Sequence, residues 1–332
     1  MNRDLRIDFL RFLGLSLVIL AHVQAPFLLT QIRSFDVPLM VFVSGLTASG
    51  KAISSFWQYV RNRSKRLIIP VWLFLVVYTL PFFVLQKFFL PEQYLTGRMI
   101  VRSFLFLDES IGYVWIIRVF LLVMLLTPMI TKVSEMIKSE ALYILLLILM
   151  LFLNQLSFQL TTILAEGFYR SAFVDIIVYG VAYSFPFALG VRLKNVSRKG
   201  YLIYIILLIL FFSLLCLNCI HASINPLGIS TGYKFPPRPY FIVYGSLISV
   251  ILWASKKWWG KLSENKFTAF VGQNTIWIYL WHMPFALFAT VFMHNWAVKY
   301  FFVYGMALLI FYIQYRIVRK VNNLTINKYL LG

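Results

Sequence analysis

The 332-residue chain is 61% hydrophobic, 18% aromatic and only 13% charged, whereas soluble domains carry about 45–50% apolar and about 25% charged residues. So few charges cannot cover a water-facing surface, and the mean hydropathy of +0.81 agrees with this. The composition therefore excludes a soluble enzyme, a disordered chain and a disulfide scaffold, and it predicts an all-α, polytopic membrane protein.

Ten apolar segments follow one another along the chain, most of them near the length of about 20 residues that a membrane-spanning helix needs. They lie at residues 7–29, 35–49, 67–90, 111–130, 141–160, 172–191, 201–220, 240–255, 269–293 and 298–318. No linker, internal repeat or low-complexity tract is visible between them. The sequence therefore predicts one membrane domain over residues 1–332, without an appended soluble domain.

The net charge is +20, and the basic residues are distributed along the chain as the predicted topology requires. With the N-terminus in the cytoplasm, 21 of the 31 Lys and Arg residues fall in predicted cytoplasmic segments and 8 in outer segments, while Arg11 and Arg118 lie within spans. This bias alternates from loop to loop, as the positive-inside rule requires. We therefore predict about ten helices in a lipid bilayer with both termini cytoplasmic, and no nucleic-acid partner.

Charged residues make the first predicted helix the most informative segment of the chain. Asp8 and Arg11 are three residues apart, so a helix allows them to pair. At about 100° per residue, His22 lies within about 20° of Arg11 around the axis and about 16 Å deeper. An interfacial ion pair and a packed histidine remain the purely structural alternative.

The ninth predicted helix carries a second histidine. It runs from Gly272-Gln273-Asn274-Thr275 through Tyr279 to His282. His282 falls about 20 Å along this helix, near the predicted depth of His22. Two imidazoles at one depth predict a polar chamber toward the outer side, and a packed residue near the membrane interface is the alternative for His282.

Arg63 and Arg66 stand three residues apart in the second predicted cytoplasmic segment. The guanidinium fork suits phosphate because it bonds two oxygens at once. Taken alone, such a basic cluster is more often a topology signal or a contact with lipid headgroups.

Several other polar residues in or near predicted spans are less specific. Arg118 and Asp175 need partners that the sequence does not name. The pattern Cys216-x-x-Cys219-x-His221 has no evident fourth ligand. We therefore favour apolar packing for the two cysteines and predict no metal.

These segments together resemble acyltransferase family three, whose members include bacterial O-acetyltransferases of polysaccharides and lipopolysaccharides. Its motif of an arginine, ten residues and a histidine matches Arg11 and His22. Residues 37–45 are similar to its second-helix signature, Arg63-x-x-Arg66 to its arginine pair, and residues 272–282 to its late helix motif. The resemblance extends from residue 6 to about residue 318, in the expected order.

The resemblance implies a membrane-bound O-acyltransferase of the bacterial cell membrane. It would move acetyl from cytoplasmic acetyl-CoA to a hydroxyl of a cell-surface or capsular polysaccharide. His22 is implied as general base or acyl acceptor, with Arg11 and Asp8 beside it in the catalytic set. Arg63, Arg66 and Arg11 are implied to bind the acyl donor.

The remaining expectations concern the acceptor and the partners. His282, Tyr279, Asn274 and Arg118 are the expected acceptor-binding or accessory residues. The expected partners are acyl-CoA, a glycan acceptor and the lipid bilayer. An exporter or transporter of a polysaccharide or another solute is the alternative, since intramembrane charges also mark translocation paths. The absence of a visible inverted repeat argues against it.

Overall fold

Helices are the only regular secondary structure in the part of the chain that the computed structural model describes. That part comprises residues 4–51, 53, 55–89, 95–107, 110–111, 114–222, 225–226, 228–321 and 323–331. In chain order the helices are α1 (Leu5–Leu20), α2 (Phe27–Ala48), α3 (Phe56–Phe89), α4 (Gly97–Phe104), α5 (Trp115–Met136), α6 (Glu140–Ile163), α7 (Phe168–Leu193), α8 (Arg198–His221), α9 (Ile229–Gly232), α10 (Pro239–Ala254), α11 (Lys256–Glu264), α12 (Lys266–Gln273), α13 (Thr275–Phe292), α14 (Trp296–Val321) and α15 (Leu324–Leu330). The predicted all-α class is confirmed.

Each predicted span overlaps a helix, although the ninth, 269–293, is divided at Asn274 between α12 and α13. Fewer helices are long and apolar enough to cross a membrane by themselves. In the described residues, seven qualify: α2, α5, α6, α7, α8, α13 and α14. The pair α10 and α11, bent by 60°, makes an eighth if it forms one span. The chain is therefore a multi-pass membrane protein, whereas ten spans and cytoplasmic termini stay predictions. Residue 90 of the third predicted span and residues 112 and 113 of the fourth lie outside the described residues.

The first predicted span, 7–29, is wrong in its extent, because α1 ends at Leu20. Residues 21–24 form a turn, and Gln24 takes the left-handed φ of 56°. Proline has no N–H and disfavours helical geometry in the residue before it. Pro26 therefore separates α1 from α2, which begins at Phe27.

The described chain divides into two compact units, each discontinuous in sequence. The first comprises Met1–Ala21, Ala25–Ser54 and Leu122–Gly272. The second comprises His22–Gln24, Ser55–Leu121 and Gln273–Gly332. One membrane domain over residues 1–332 stays a prediction.

In the first unit, α2 and α7 cross at two glycines. A Cβ added to Gly45 would lie 2.2 Å from the carbonyl oxygen of Phe187, and one added to Gly190 would lie 2.1 Å from that of Phe42. Helices in membranes associate through such small residues because the backbones then approach closely. Gly45, the last residue of the second-helix signature, thus has a packing role.

In the second unit, α13 is held to α14 and α15 by its indole groups. The indole N–H of Trp281 donates to Oε1 of Gln314 at 2.6 Å, and that of Trp277 donates to the carbonyl of Tyr329 at 2.9 Å. Gln314 in turn donates to the carbonyl of Leu330 at 2.6 Å. These bonds fix the rotation of α13 about its axis, and with it the direction of His282.

Candidate active site

The acid–base pair near the start of α1 belongs to the first unit. One guanidinium nitrogen of Arg11 lies 3.4 Å from Oδ1 of Asp8, and the other donates to the hydroxyl of Thr47 at 3.1 Å. The Asp8 side chain is 1% exposed and that of Arg11 is 27% exposed. The pairing predicted from the sequence is therefore confirmed. Thr47, 36 residues further along the chain, is a partner that local spacing does not reveal.

Gly272, the first residue of the late motif, packs directly against Asp8. A Cβ added to Gly272 would lie 2.0 Å from the carbonyl oxygen of Asp8. Any larger residue there would push α12 away from α1. Gly272 therefore serves the packing around the buried carboxylate.

The predicted alignment of Arg11 and His22 on one helix face assumed a helix through residue 22, but α1 ends at Leu20, so the alignment stays a prediction. His22 lies in the turn after α1 and belongs to the second unit, whereas Asp8 and Arg11 belong to the first. The angle counted along α1 therefore does not define the direction of the His22 imidazole.

The structure brings His22 and His282 together within the second unit. Their ring centroids are 5.3 Å apart and the rings are stacked, with 26° between their planes. His282 is fully buried, and Nε2 of the half-buried His22 is buried as well. Two imidazoles in contact within a largely apolar protein provide proton acceptors where few other side chains titrate near neutral pH.

The orientation of His282 is set by its own helix. Its Nδ1 is hydrogen-bonded to the carbonyl oxygen of Tyr279. Because a carbonyl only accepts, Nδ1 carries the hydrogen and Nε2 of the neutral ring presents a lone pair. The Tyr279 ring also contacts the imidazole, at a centroid distance of 5.1 Å. Asn274 is buried at the residue before α13 begins.

Lys299 on α14 is a neighbour of this region, and the sequence analysis counted it only as one of the eight basic residues of the outer segments. It is 2% exposed, and its ammonium donates to Oε1 of Gln24 at 2.5 Å. Gln24 is two residues from His22, in the same turn. The only sequence signal for this contact was the position of a lysine at the start of a predicted span. That position does not predict a partner 275 residues away.

Arg118, the buried arginine of the fourth predicted span, has a backbone partner in the second unit. It donates to the carbonyl oxygen of Phe106 at 3.2 Å. Phe106 adopts a φ of 58°, which side-chain-bearing residues rarely take. Arg118 thus holds the segment after α4, and its expected role at the acceptor stays a prediction.

Arg63 and Arg66 both lie on α3, so the helix carries them one turn apart. Arg63 stands over the Tyr59 ring at 5.7 Å, and Arg66 is exposed. Arg61 and Lys65 are also exposed and occupy the opposite face of the same helix. One face of α3 therefore presents two guanidinium groups.

A second charged cluster, in the first unit, was not predicted. Asp36 on α2 is buried and accepts from Arg33 at 2.6 Å and from Lys234 at 3.3 Å. Lys234 comes from the segment between α9 and α10, 198 residues away. Burial lowers the pKa of the Lys234 ammonium, and the Asp36 carboxylate acts in the opposite direction.

The other polar residues noted in the sequence have separate positions in the first unit. Asp175 is buried in a π-helical turn, Val174–Val178, within α7. Sγ of Cys219 lies 3.0 Å from the Tyr233 hydroxyl. Within the described residues, no group of three or more His, Cys, Asp or Glu residues is placed to hold a metal ion.

Comparison with models of known protein families gives a match over nearly the whole chain. A family model of acyltransferase family 3, described as an acyltransferase domain, matches residues 4–316. No curated protein and no solved structure matches the chain. The matched residues span α1 to α14 and both units.

Proposed function

The chain belongs to acyltransferase family 3 and is a membrane acyltransferase, and from that premise we propose that it transfers acetyl from acetyl-CoA to a hydroxyl of a cell-surface or capsular polysaccharide. The stacked imidazoles of His22 and His282 carry the proposal. Acyl transfer to a hydroxyl requires a base, and histidine is the usual one near neutral pH. The acetyl group, the glycan acceptor and the bacterial cytoplasmic membrane follow from the family resemblance.

Two routes are compatible with a histidine in this position. In the first, His22 removes the proton of the sugar hydroxyl while its oxygen bonds to the acyl carbonyl carbon. The carbon–sulfur bond then breaks, and coenzyme A leaves as the thiol after taking that proton. In the second, the imidazole nitrogen of His22 attacks the acyl carbonyl carbon, the carbon–sulfur bond breaks and coenzyme A leaves as the thiolate. The sugar hydroxyl then attacks the acyl-histidine, its oxygen forms the ester as the imidazole leaves, and its proton goes to the thiolate. Both routes end with the same ester and the same thiol.

The other predicted site residues supply binding functions in this proposal. Arg63 and Arg66, on one face of α3, bind the phosphates of the acyl donor, because the guanidinium fork matches phosphate oxygens. His282, oriented by Tyr279, assists proton transfer or binds the acceptor. Arg11, paired with Asp8, stays a proposed donor contact at the cytoplasmic end of α1.

The experiment that tests the function uses purified protein in liposomes with isotopically labelled acetyl-CoA and envelope glycan. We expect wild type to transfer label and His22→Ala to lose roughly 100-fold or more of the rate, the usual contribution of a general base. His294→Ala is the matched control, because His294 is exposed, and it should behave as wild type. Transfer by His22→Ala at the wild-type rate contradicts the role of His22. No turnover by wild type contradicts the function and directs attention to transport, which is measured as glycan flux.

The donor site has its own test on the same preparation. Replacing Arg63 and Arg66 together by Ala should raise the KM for acetyl-CoA roughly tenfold with little change in kcat, since contacts made equally in the ground and transition states act on KM. The control replaces Arg61 and Lys65 by Ala, which removes the same charge from the opposite face of α3. Equal KM values for the two double variants would contradict donor binding and would mean that Arg63 and Arg66 act only as topology signals.

A further inference from the structure

Lys299 is an unusual residue for the interior of a membrane protein. Its side chain is 2% exposed, on the first turn of α14. Within the described residues, its ammonium makes a hydrogen bond to the neutral amide of Gln24 and no ion pair with a carboxylate. A buried cation without an opposite charge costs folding free energy, so an apolar residue would suit the position better if only stability mattered.

Gln24, the partner of Lys299, has an unfavourable backbone conformation. Gln24 adopts a φ of 56°, in the left-handed region that residues other than glycine rarely take. Such conformations persist only where the surrounding structure holds them. The hydrogen bond of 2.5 Å from Lys299 to Oε1 of Gln24 is the contact that holds the side chain of this residue.

The strained residue is close to the proposed chemistry. Residues 21–24 form a single turn that carries His22 and Gln24 together. The His22 ring stacks on His282 at 5.3 Å, and His22 lies two residues beyond the end of α1 at Leu20. The hydrogen bond from Lys299 to Gln24 ties this turn to α14.

We propose that Lys299 is a positioning residue which, through Gln24, fixes the turn 21–24 and thereby the His22 imidazole against His282. The restraint on the turn would offset the cost of burying the Lys299 ammonium. The effect of this restraint on catalysis rests on the proposed function, but its effect on the geometry of His22 does not.

The geometric arm of the test needs no substrate. Purified protein is treated with diethyl pyrocarbonate, and modification of each histidine is followed by peptide mass spectrometry. Nε2 of His22 is buried, so loosening the turn should raise its reactivity, and we expect an increase of roughly threefold or more in Lys299→Met. The exposed His221 and His294 are internal references that should react at unchanged rates.

The same measurement in a double-mutant cycle tests whether Lys299 acts through Gln24. Gln24→Gly keeps a residue that tolerates the left-handed φ and removes the amide. The double variant should then react no faster than either single variant, because both remove one contact. Lys299→Arg, which keeps a buried donor, should restore most of the protection, and Lys320→Met, an exposed lysine on the same helix, should match wild type.

The catalytic arm uses the labelled acetyl-CoA assay. Lys299→Met should lower kcat about tenfold with an unchanged KM for the donor, the pattern expected when a reacting group is misplaced. Unchanged His22 reactivity in Lys299→Met, or independent effects of the two substitutions, would overturn the inference even if the wild type is active. If the wild type transfers no acetyl, the proposed function fails, and the modification rates still decide the role of Lys299.

Discussion

Two buried lysines, Lys234 in the first unit and Lys299 in the second, differ in the charge of their partners. Lys234 is 5% exposed, and its ammonium lies 3.3 Å from Oδ1 of Asp36. Arg33 contacts the other carboxylate oxygen, Oδ2, at 2.6 Å. Lys299 is 2% exposed and donates to the amide of Gln24. Both are long-range contacts that join distant parts of the sequence within their own unit.

The difference in partners predicts different effects when each lysine contact is removed. Removing one partner from a buried ion pair leaves the other charge uncompensated, and that is strongly destabilising. Removing a buried cation that has only a neutral partner relieves a cost of desolvation and loses one hydrogen bond. Stability should therefore depend on the Asp36 cluster, whereas the behaviour of His22 should depend on Lys299.

The largest expected change comes from Asp36→Asn, which keeps the shape of the side chain and removes its charge. Arg33 and Lys234 then remain buried without a carboxylate, so we expect a loss of about 3–5 kcal/mol in the free energy of unfolding. Thermal unfolding in detergent or lipid, together with the amount of folded protein in membranes, measures it.

Glu166→Gln is the matched control for this substitution. Glu166 pairs with Arg170 at 2.9 Å, but its side chain is 91% exposed, so the loss of that charge should leave stability nearly unchanged. An equally stable Asp36→Asn variant would show that the buried cluster does not hold the first unit together.

A smaller change is expected from Lys234→Met. The pair of Arg33 and Asp36 remains, and methionine keeps much of the apolar stem of lysine. We expect a loss of about 1–3 kcal/mol in the free energy of unfolding, the usual cost of removing a hydrogen bond to a buried charged group. The same thermal measurement applies, and a loss greater than that of Asp36→Asn would reverse the order of importance of the two partners.

The smallest change in stability is expected from Lys299→Met. The relieved desolvation and the lost hydrogen bond offset each other, so the free energy of unfolding should stay within about 1 kcal/mol of wild type. The same variant should raise the chemical reactivity of His22, so the geometry of His22 would change while the free energy of unfolding stays nearly the same. A loss as large as that of Asp36→Asn would make Lys299 a structural residue.

The sequence predicted the fold class and part of the site for identifiable reasons. Apolar composition predicts membrane helices, and a three-residue spacing predicts the pair of Asp8 and Arg11, because both depend on local geometry. Counting along helices also gave similar depths for His22 and His282, which the structure places in contact. The predicted helix over residues 7–29 was wrong in its extent, because α1 ends at Leu20, and Gln24 with its left-handed φ and Pro26 separate it from α2.

The sequence by itself determined that this protein is helical, that it lies in a membrane and that it carries the ordered motifs of its family, since these properties follow from composition and short spacings. Only the tertiary structure decided which distant residues meet: Thr47 with Arg11, Lys234 with Asp36, and Lys299 with Gln24. The physical reason is that a buried charge must find a polar partner somewhere. Hydropathy predicts that such a charge is buried, but the packing of helices far apart in the chain selects the partner.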